Sequence, residues 1–407
     1  MKNEYTSLRL FYFLIPLNLS VFLVFSVFNV PFTLRLLTFI SLFILITISN
    51  QSYKSYLVNF LNYHHILLFS LACLFSFLFF NDELKLYSPN ILNVLALSFL
   101  SVLLVNYSDI YEKTIEYTVY LLTIILIISL PIHFFIYESY FLSATLFFHE
   151  FLSEDYATKN TLGVLLCLIL PYVLFKLSNR PSLINIFIFA VFSLSIFYLF
   201  SRTALVLSAF ILIAMLLTFK RNLVITSICI FFVLTLCIVS FQLTPEKYNN
   251  LKSLSNQQIK IVQNDELKSP SDVFSLSSYR SQYIIKSIEG FIEKPLFGHG
   301  FSKYQQNNKQ FDKENRLVRK QITHNDYAQI LYEQGTVGIV FLAYLFFVIL
   351  FRLFVNLNNQ NLMSIRIIQF LTLILSLNFI NLLDHSLFWI FLSLNTVCLA
   401  TKEPRKQ

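Results

Sequence analysis

Three polar segments of the sequence hold residues that could perform chemistry, and each lies beside long apolar runs. The first is Ser201-Arg202-Thr203, in which an arginine has apolar neighbours on both sides. Such a cation is costly near hydrocarbon unless it meets water or a partner. The second, 277–304, carries Arg280, and the third, 323–340, carries His324. A neutral imidazole near physiological pH is what a general base requires.

Each of these residues also has a purely structural interpretation. Arg202 could be a snorkelling arginine at a helix end, Arg280 a solvated residue on a surface helix, and His324 a helix cap or a solvent-facing side chain. Arg202 is expected at the outer face, where the preference for cations on the cytoplasmic side makes an arginine without a function unusual. Asp384, in the apolar context NLLDHSLFW, is a candidate partner for an arginine.

The second segment has the pattern of an amphipathic helix followed by a turn. We predict a helix over 278–293, ended by Pro295, with Gly298 and Gly300 forming the turn. Arg280 stands near the start of this helix. The apolar positions with helical spacing are Tyr279, Tyr283, Ile284, Ile288 and Phe291.

The third segment has the pattern of a capped helix leading into an apolar run. Thr323 with Asp326 three residues later resembles a capping box, which predicts a helix that begins at His324. The positive end of the helix dipole would then favour the neutral imidazole. Gly335 should end this helix, and Thr336 should open the next apolar span.

The composition of the whole chain places these segments in a membrane protein. The chain has 407 residues, of which 56% are hydrophobic and 13% charged, about half the usual charged share of a soluble domain. The mean hydropathy is +0.67. A soluble globule could not bury so much apolar surface. A cytosolic enzyme, a disordered chain and a disulfide scaffold are therefore excluded.

Several kinds of site have no support in the sequence. The five cysteines all fall in apolar runs and form no CxxC, so we expect no structural disulfide and no cysteine metal site. No HExxH, Walker or GxSxG motif occurs, so we expect no metal and no cofactor. The net charge of +8 is interpreted as a topology signal, and nucleic acid is not expected as a partner.

The apolar runs predict an all-α integral membrane protein with about twelve transmembrane helices. We predict three regions: an N-terminal transmembrane region of about nine helices (1–241), a large outer loop containing amphipathic helices (242–335), and a C-terminal region of about three helices with a tail (336–407). The predicted spans are 9–30, 33–49, 66–80, 91–107, 117–136, 161–177, 182–200, 203–219, 222–241, 336–356, 366–382 and 386–401.

The distribution of lysine and arginine sets the predicted orientation, because cations in short loops stay cytoplasmic. Both termini are predicted to be cytoplasmic, and the long loop with Arg280 and His324 to face outward. Arg202 falls on the same outer side. The cations assigned to the cytoplasmic side are Lys2, Arg9, Lys54, Lys113, Lys176, Arg180, Lys220, Arg221, Arg352, Arg366, Lys402, Arg405 and Lys406.

Taken in order, the three segments resemble the O-antigen ligase and O-antigen polymerase superfamily. The resemblance rests on [ST]-R-[TA] at a helix start, an amphipathic arginine helix ending in PLFGxG, and HNDYxxxLxExG leading into a span. It covers about 200–338 by motif. It implies a metal-independent, inverting glycosyltransferase of the bacterial inner membrane with a periplasmic active site. The donor would be an undecaprenyl-diphosphate-linked glycan.

The resemblance also implies roles for individual residues. His324 would be the general base, and Arg202 and Arg280 would grip the diphosphate, because guanidinium forks suit phosphate oxygens. Arg319 and Lys320 could add cationic steering. The other expected substrate-binding residues are Asn325, Tyr327 and Asp384.

Three functions remain open at the level of the sequence. The first is an O-antigen ligase, which joins the polysaccharide to a lipid A–core acceptor; a single dominant outer loop favours it. The second is an O-antigen or capsule polymerase, which adds the glycan to a repeat unit; the segment 137–160 could be the second outer loop of such an enzyme. The third is a lipid-glycan flippase or transporter, for which we find no two-half repeat.

Overall fold

The structure is a computed structural model, and it describes residues 2–27, 32–48, 64–80, 94–96, 98, 110–135, 159–199, 201–218, 280–301, 303–307, 309–311, 317–320, 323–355, 360–383 and 385–397. These residues form helices and one short hairpin. The helices are α1 (Lys2–Val27), α2 (Phe32–Ile48), α3 (His64–Phe80), α4 (Ile110–Phe135), α5 (Lys159–Asn179), α6 (Leu183–Tyr198), α7 (Arg202–Thr218), α8 (Arg280–Glu293), α9 (Lys303–Asn307), α10 (Asp326–Val355), α11 (Gln360–Ser376) and α12 (Ser386–Val397); the strands are β1 (Lys309–Phe311) and β2 (Leu317–Lys320).

The helices pack into a bundle around α5, whose side chains are mostly buried. Helix α5 contacts α6, α7 and α11, whereas α1 packs against α2 and α4. Helix α3 runs antiparallel to α10: the His64 ring nitrogen lies 2.9 Å from the Tyr344 hydroxyl, and the Ser76 hydroxyl donates to the Glu333 carbonyl. Helix α11 packs on α5, and α10 packs on α11, so both helices that flank the candidate site belong to the bundle.

Helix length and composition support a membrane protein. Residues 160–179 and 326–355 are long and apolar enough to cross a bilayer, and six more described helices are apolar but shorter. Ten of the twelve predicted spans coincide with helices, namely α1 to α7 and α10 to α12. Most of 91–107 and all of 222–241 lie outside the described residues. The number of spans, the outer loop and the domain boundaries stay predictions.

Two features differ from the sequence expectations. Arg366, at which we predicted the span 366–382 to begin on the cytoplasmic side, is the seventh residue of α11 and is buried within the bundle. The predicted loop also contains an antiparallel hairpin, in which Arg319 pairs with Gln310 and Lys320 with Lys309. Short strands between polar residues carry no clear period-2 apolar pattern, so the sequence did not indicate them.

Candidate active site

Helix α10 is broken at Gly335, and the break is filled by the turn that follows α8. Gly335 has φ 62° and ψ −152°, which interrupts the helical hydrogen bonds. The interruption frees carbonyls on one side and amides on the other. In the turn 295–300, which we call the PLFGHG turn, the amides of His299 and Gly300 donate to the carbonyls of Tyr332 and Glu333 over 2.9 and 2.8 Å.

The opposite side of the break is satisfied by the same turn. The amide of Thr336 donates to the Pro295 carbonyl over 2.8 Å, and that of Val337 to the Leu296 carbonyl over 3.1 Å. The two glycine motifs of the sequence, PLFGHG and ExG, are therefore one structural unit. The predicted end of the first helix at Gly335, with a second helix from Thr336, is confirmed.

Glycine is required where the turn and the helix touch. A Cβ on Gly298 would lie 2.5 Å from the Gln334 nitrogen, and one on Gly335 would lie 2.7 Å from the Leu296 carbonyl carbon. Both residues also have a positive φ, which glycine adopts without penalty. Of the six glycines in the chain, five lie between 290 and 338. The scarce glycines are thus concentrated where two backbones meet.

His324 precedes α10 and is not part of its first turn. Helix α10 begins at Asp326, and the Asn325 side-chain oxygen accepts from the Ala328 amide over 3.0 Å. The prediction that Thr323 caps a helix beginning at His324 is wrong by two residues. Asn325 caps in its place, because the Thr323 hydroxyl bonds to the Asn325 backbone.

The backbone of His324 has an uncommon conformation. Its φ is 52°, a left-handed value that no other non-glycine residue adopts in the described part of the chain. The side chain is half-buried. Such a conformation persists only where the surroundings hold it, and it is a reason to look for function.

The surroundings that hold His324 come from the turn between α11 and α12. The Asp326 carboxylate accepts from the amides of Leu382 and Leu383 over 2.6 and 3.3 Å. The Asp326 amide in turn donates to the Leu377 carbonyl over 2.8 Å. Asp326, buried to 2% exposure, thereby fixes the start of α10 to the end of α11.

A side-chain network continues this attachment from the other side of His324. The amide nitrogen of Asn381 donates to the Thr323 hydroxyl over 3.2 Å and also to the Gln329 side chain. Gln329 donates to the buried Glu333 carboxylate over 3.3 Å. Sequence reasoning gave Asp326 only a capping role and missed Asn381. The sequence feature that could have indicated these two residues is a polar side chain close to apolar runs.

Tyr327 is attached to α11 in the same way. Its hydroxyl donates to the Ile374 carbonyl over 3.0 Å. This hydrogen bond joins the first turn of α10 to the last turn of α11.

Arg280 is the first residue of α8, close to the predicted start, and α8 packs on α10. A Cβ on Gly290 would lie 2.3 Å from the Tyr332 ring, so the two helices touch there. His299 stacks on Tyr332 at 4.5 Å between ring centroids, and its Nε2 lies 3.0 Å from the Gly290 carbonyl. His299 therefore joins α8 to α10.

Arg202 is the first residue of α7, as predicted. The Ser201 hydroxyl accepts from the Ala204 amide over 3.3 Å and donates to the Asn160 side chain over 2.7 Å. Ser201 therefore caps α7 and attaches it to the start of α5. Because α7 also packs on α11, the helix that begins at Arg202 is joined to the helix whose end holds Asp326.

The remaining predicted site residues are placed less directly. Arg319 and Lys320 end β2, a few residues before His324. Asp384 lies outside the described residues, so its pairing with an arginine stays a prediction. Within the described ranges, no group of three or more His, Cys, Asp or Glu side chains could hold a metal ion.

Comparison with known proteins agrees with the motifs. Residues 187–343 match the family model described as O-antigen ligase. This match includes Arg202, Arg280 and His324 and leaves Asp384 outside. No curated protein matches the chain at a significant level. The resemblance predicted from the three motifs is therefore confirmed over residues 187–343, which are similar to the O-antigen ligase family.

Proposed function

We propose that the chain is an O-antigen ligase, which transfers a polysaccharide from undecaprenyl diphosphate to a lipid A–core acceptor. The observation that supports this most strongly is the left-handed backbone of His324, which lies within the region that matches the family. Its neighbours Thr323 and Asp326 are both hydrogen-bonded to the α11–α12 turn. Because its backbone is fixed in this way, the His324 imidazole can be held in one position relative to a bound substrate.

In the proposed reaction, His324 accepts the proton of the acceptor hydroxyl as its oxygen attacks the anomeric carbon of the donor. A bond forms between that carbon and the acceptor oxygen, and the bond to the diphosphate oxygen breaks. Attack from the face opposite the diphosphate inverts the anomeric centre. The diphosphate leaves with the bonding electron pair and therefore gains negative charge.

Arg202 and Arg280 are proposed to stabilise the leaving diphosphate, since a guanidinium donates paired hydrogen bonds to phosphate oxygens. Each begins a helix, where free backbone amides also favour an anion. Arg319 and Lys320 would attract the charged donor. Asn325 and Tyr327 would shape the site, because their side chains are bonded to the protein itself.

An apolar cavity supports a lipid-linked donor. It has a volume of about 230 Å³ and lies between α3 and the broken part of α10. From Asp326 to Gly335, α10 rises roughly 14 Å, so a lipid chain there could reach a headgroup near His324. The residues lining the cavity include Leu68, Leu71, Phe75, Phe297, Val337 and Phe341.

The polymerase remains a second candidate, because it would use the same donor and the same residues. The acidic outer segment predicted at 137–160 favours it, as polymerases often have a second substantial outer loop. Nearly all of that segment lies outside the described residues. The choice between the two functions therefore needs a genetic test.

The mechanism is tested by replacing His324, Arg202 and Arg280 with alanine, one at a time, in a strain that lacks the native gene. We expect each variant to insert normally and to lose transfer, by about 10²–10⁴-fold for His324→Ala. His64→Phe is the matched control, because His64 contacts Tyr344 far along α10. Full activity in all three variants would exclude the mechanism.

The lipopolysaccharide ladder of a deletion strain separates the two enzymes. A ligase deletion should leave bare core while lipid-linked polymer accumulates. A polymerase deletion should leave core that carries a single repeat unit. Unchanged lipopolysaccharide in the deletion strain would contradict both assignments.

A further inference from the structure

Helix α8 has two different apolar faces. Its inner face holds Ser287, which is fully buried, and packs on α10 through Gly290 against Tyr332. Its outer face carries Ile285, Ile288 and Ile292, with exposed fractions of 44%, 44% and 70%. Their spacing of three and four residues places them on one side of the helix. The described chain therefore leaves an isoleucine row on α8 uncovered.

This row continues into the surface of the helix bundle. Leu296 and Phe297, which directly follow α8, are also exposed. The ring centroid of Phe297 lies 6.1 Å from that of Phe75 on α3, which is itself exposed. Val337 and Phe341, past the break in α10, line one cavity with Phe75 and Phe297. Because α3 and α10 are apolar helices of a membrane protein, their exposed apolar side chains are suited to lipid.

We propose that α8 lies along the membrane surface, with its isoleucine row embedded in the hydrocarbon of the adjacent leaflet. A bilayer already covers the surface that the row continues, so it accounts for the row without another partner. The polar side of α8 suits the headgroup region, since Glu289 and Glu293 are exposed there. Arg280, at the start of α8, would then stand near headgroup level.

The proposal depends on the membrane character of the chain and not on the transfer reaction. The test therefore measures lipid contact and not activity. Full-length protein with its five cysteines replaced would receive one new cysteine, through Ile288→Cys, Ile292→Cys or Glu289→Cys. A nitroxide spin label would be attached, and the protein reconstituted in nanodiscs of phosphatidylethanolamine and phosphatidylglycerol.

The measurement is the collision rate of each label with oxygen, which concentrates in hydrocarbon, and with a water-soluble nickel chelate. We expect the oxygen-to-nickel ratio at 288 and 292 to exceed that at 289 several-fold. Equally low ratios at all three positions would place the row in water and overturn the proposal, and equally high ratios would contradict the surface placement of α8 and overturn it as well. Exclusion of both reagents from 288 and 292 would mean that protein covers the row, whether another segment or a second copy, and would also overturn it.

Folding of each labelled protein is checked by size-exclusion chromatography. If Ile292→Cys does not fold, Ile285→Cys replaces it, because Ile285 lies on the same face. Loss of transfer in His324→Ala with an unchanged collision ratio would support both proposals separately. Lipid contact at 288 and 292 with full activity in the His324, Arg202 and Arg280 variants would remove the proposed mechanism alone.

Discussion

Helix α11 is part of two buried polar regions that are built differently. At its end, the Asp326 carboxylate accepts two amide hydrogen bonds, and Asn381 joins Thr323 to Gln329. About 16 Å along the axis, Arg366 is 2% exposed and lies over the Tyr111 ring at 3.8 Å. Its Nε and Nη1 have no hydrogen-bond partner among the described residues.

The region at Asp326 is held by directional hydrogen bonds, whereas Arg366 is held mainly by packing against an aromatic ring. Hydrogen bonds to the backbone of a second element fix positions closely, as a catalytic histidine requires. A cation over an aromatic face is held less directionally. Burial of charge alone therefore does not identify a site in this molecule. The partners of the charge distinguish the two regions, and the backbone-bonded Asp326 stands beside His324, the proposed base.

The largest effect is expected from Gly335→Ala, which attacks the first region through its backbone. The conformation at Gly335 is open essentially to glycine alone and would cost alanine about 1–3 kcal/mol. In addition, the new Cβ would lie 2.7 Å from backbone atoms of Pro295 and Leu296. We expect a large fall in melting temperature in detergent and loss of transfer. Val340→Ala, on the exposed side of the same helix, is the control and should melt like the native protein.

The second effect tests whether Asp326 holds the start of α10. Asp326→Ala leaves the amides of Leu382 and Leu383 buried without an acceptor, which should cost about 2–5 kcal/mol. Asp326→Asn keeps one oxygen acceptor and should lose less. Melting temperature and transfer rate are to be measured together, because a shifted His324 loses activity even in a folded protein. An alanine variant as stable and active as the native protein would contradict this role.

Several features of the fold and of the candidate site could be predicted from local patterns in the sequence. The arginine at the start of α7, the helix after Arg280 and the stop at Gly335 follow from local patterns of caps, periodicity and glycine, and all three are observed. Most of the apolar runs likewise gave the correct helices. Such patterns involve neighbours in the chain, which a sequence displays directly.

What the sequence did not predict depends on contacts between distant segments. The cap at Asn325 replaced the one expected at Thr323 because the Thr323 hydroxyl bonds to the Asn325 backbone and to Asn381, 58 residues away. The filling of the Gly335 break by the PLFGHG turn and the burial of Arg366 are of the same kind. No local pattern records which distant backbone a side chain will meet.

A smaller effect is expected in the second region, from Arg366→Met. The substitution removes a buried charge with unpaired donors, and it loses a contact with Tyr111 worth about 2 kcal/mol. These terms oppose each other, so the stability should change by less than about 1 kcal/mol, and transfer should persist.

The matched variant at this position is Tyr111→Leu. It keeps the buried cation, removes the ring beneath it and leaves the Gln369 side chain without its donor. We expect it to be clearly less stable than Arg366→Met, and the double variant to recover part of the loss. Loss of transfer in a stable Arg366→Met protein would show that the Arg366 cation is needed for transfer. It would contradict the distinction between this region and the one at Asp326.

The smallest effect is expected where a cation of the same bundle is accessible to water. Lys176 lies 3.2 Å from Glu112 and 3.9 Å from Glu116, with side chains 33%, 48% and 35% exposed. Ion pairs of this exposure contribute about 0–1 kcal/mol and weaken as salt rises. Lys176→Gln should therefore lower the melting temperature slightly at low salt, and the difference should vanish at high salt. A difference that persists in high salt would mean that this pair, like Asp326, is held by its geometry and not by screened charge.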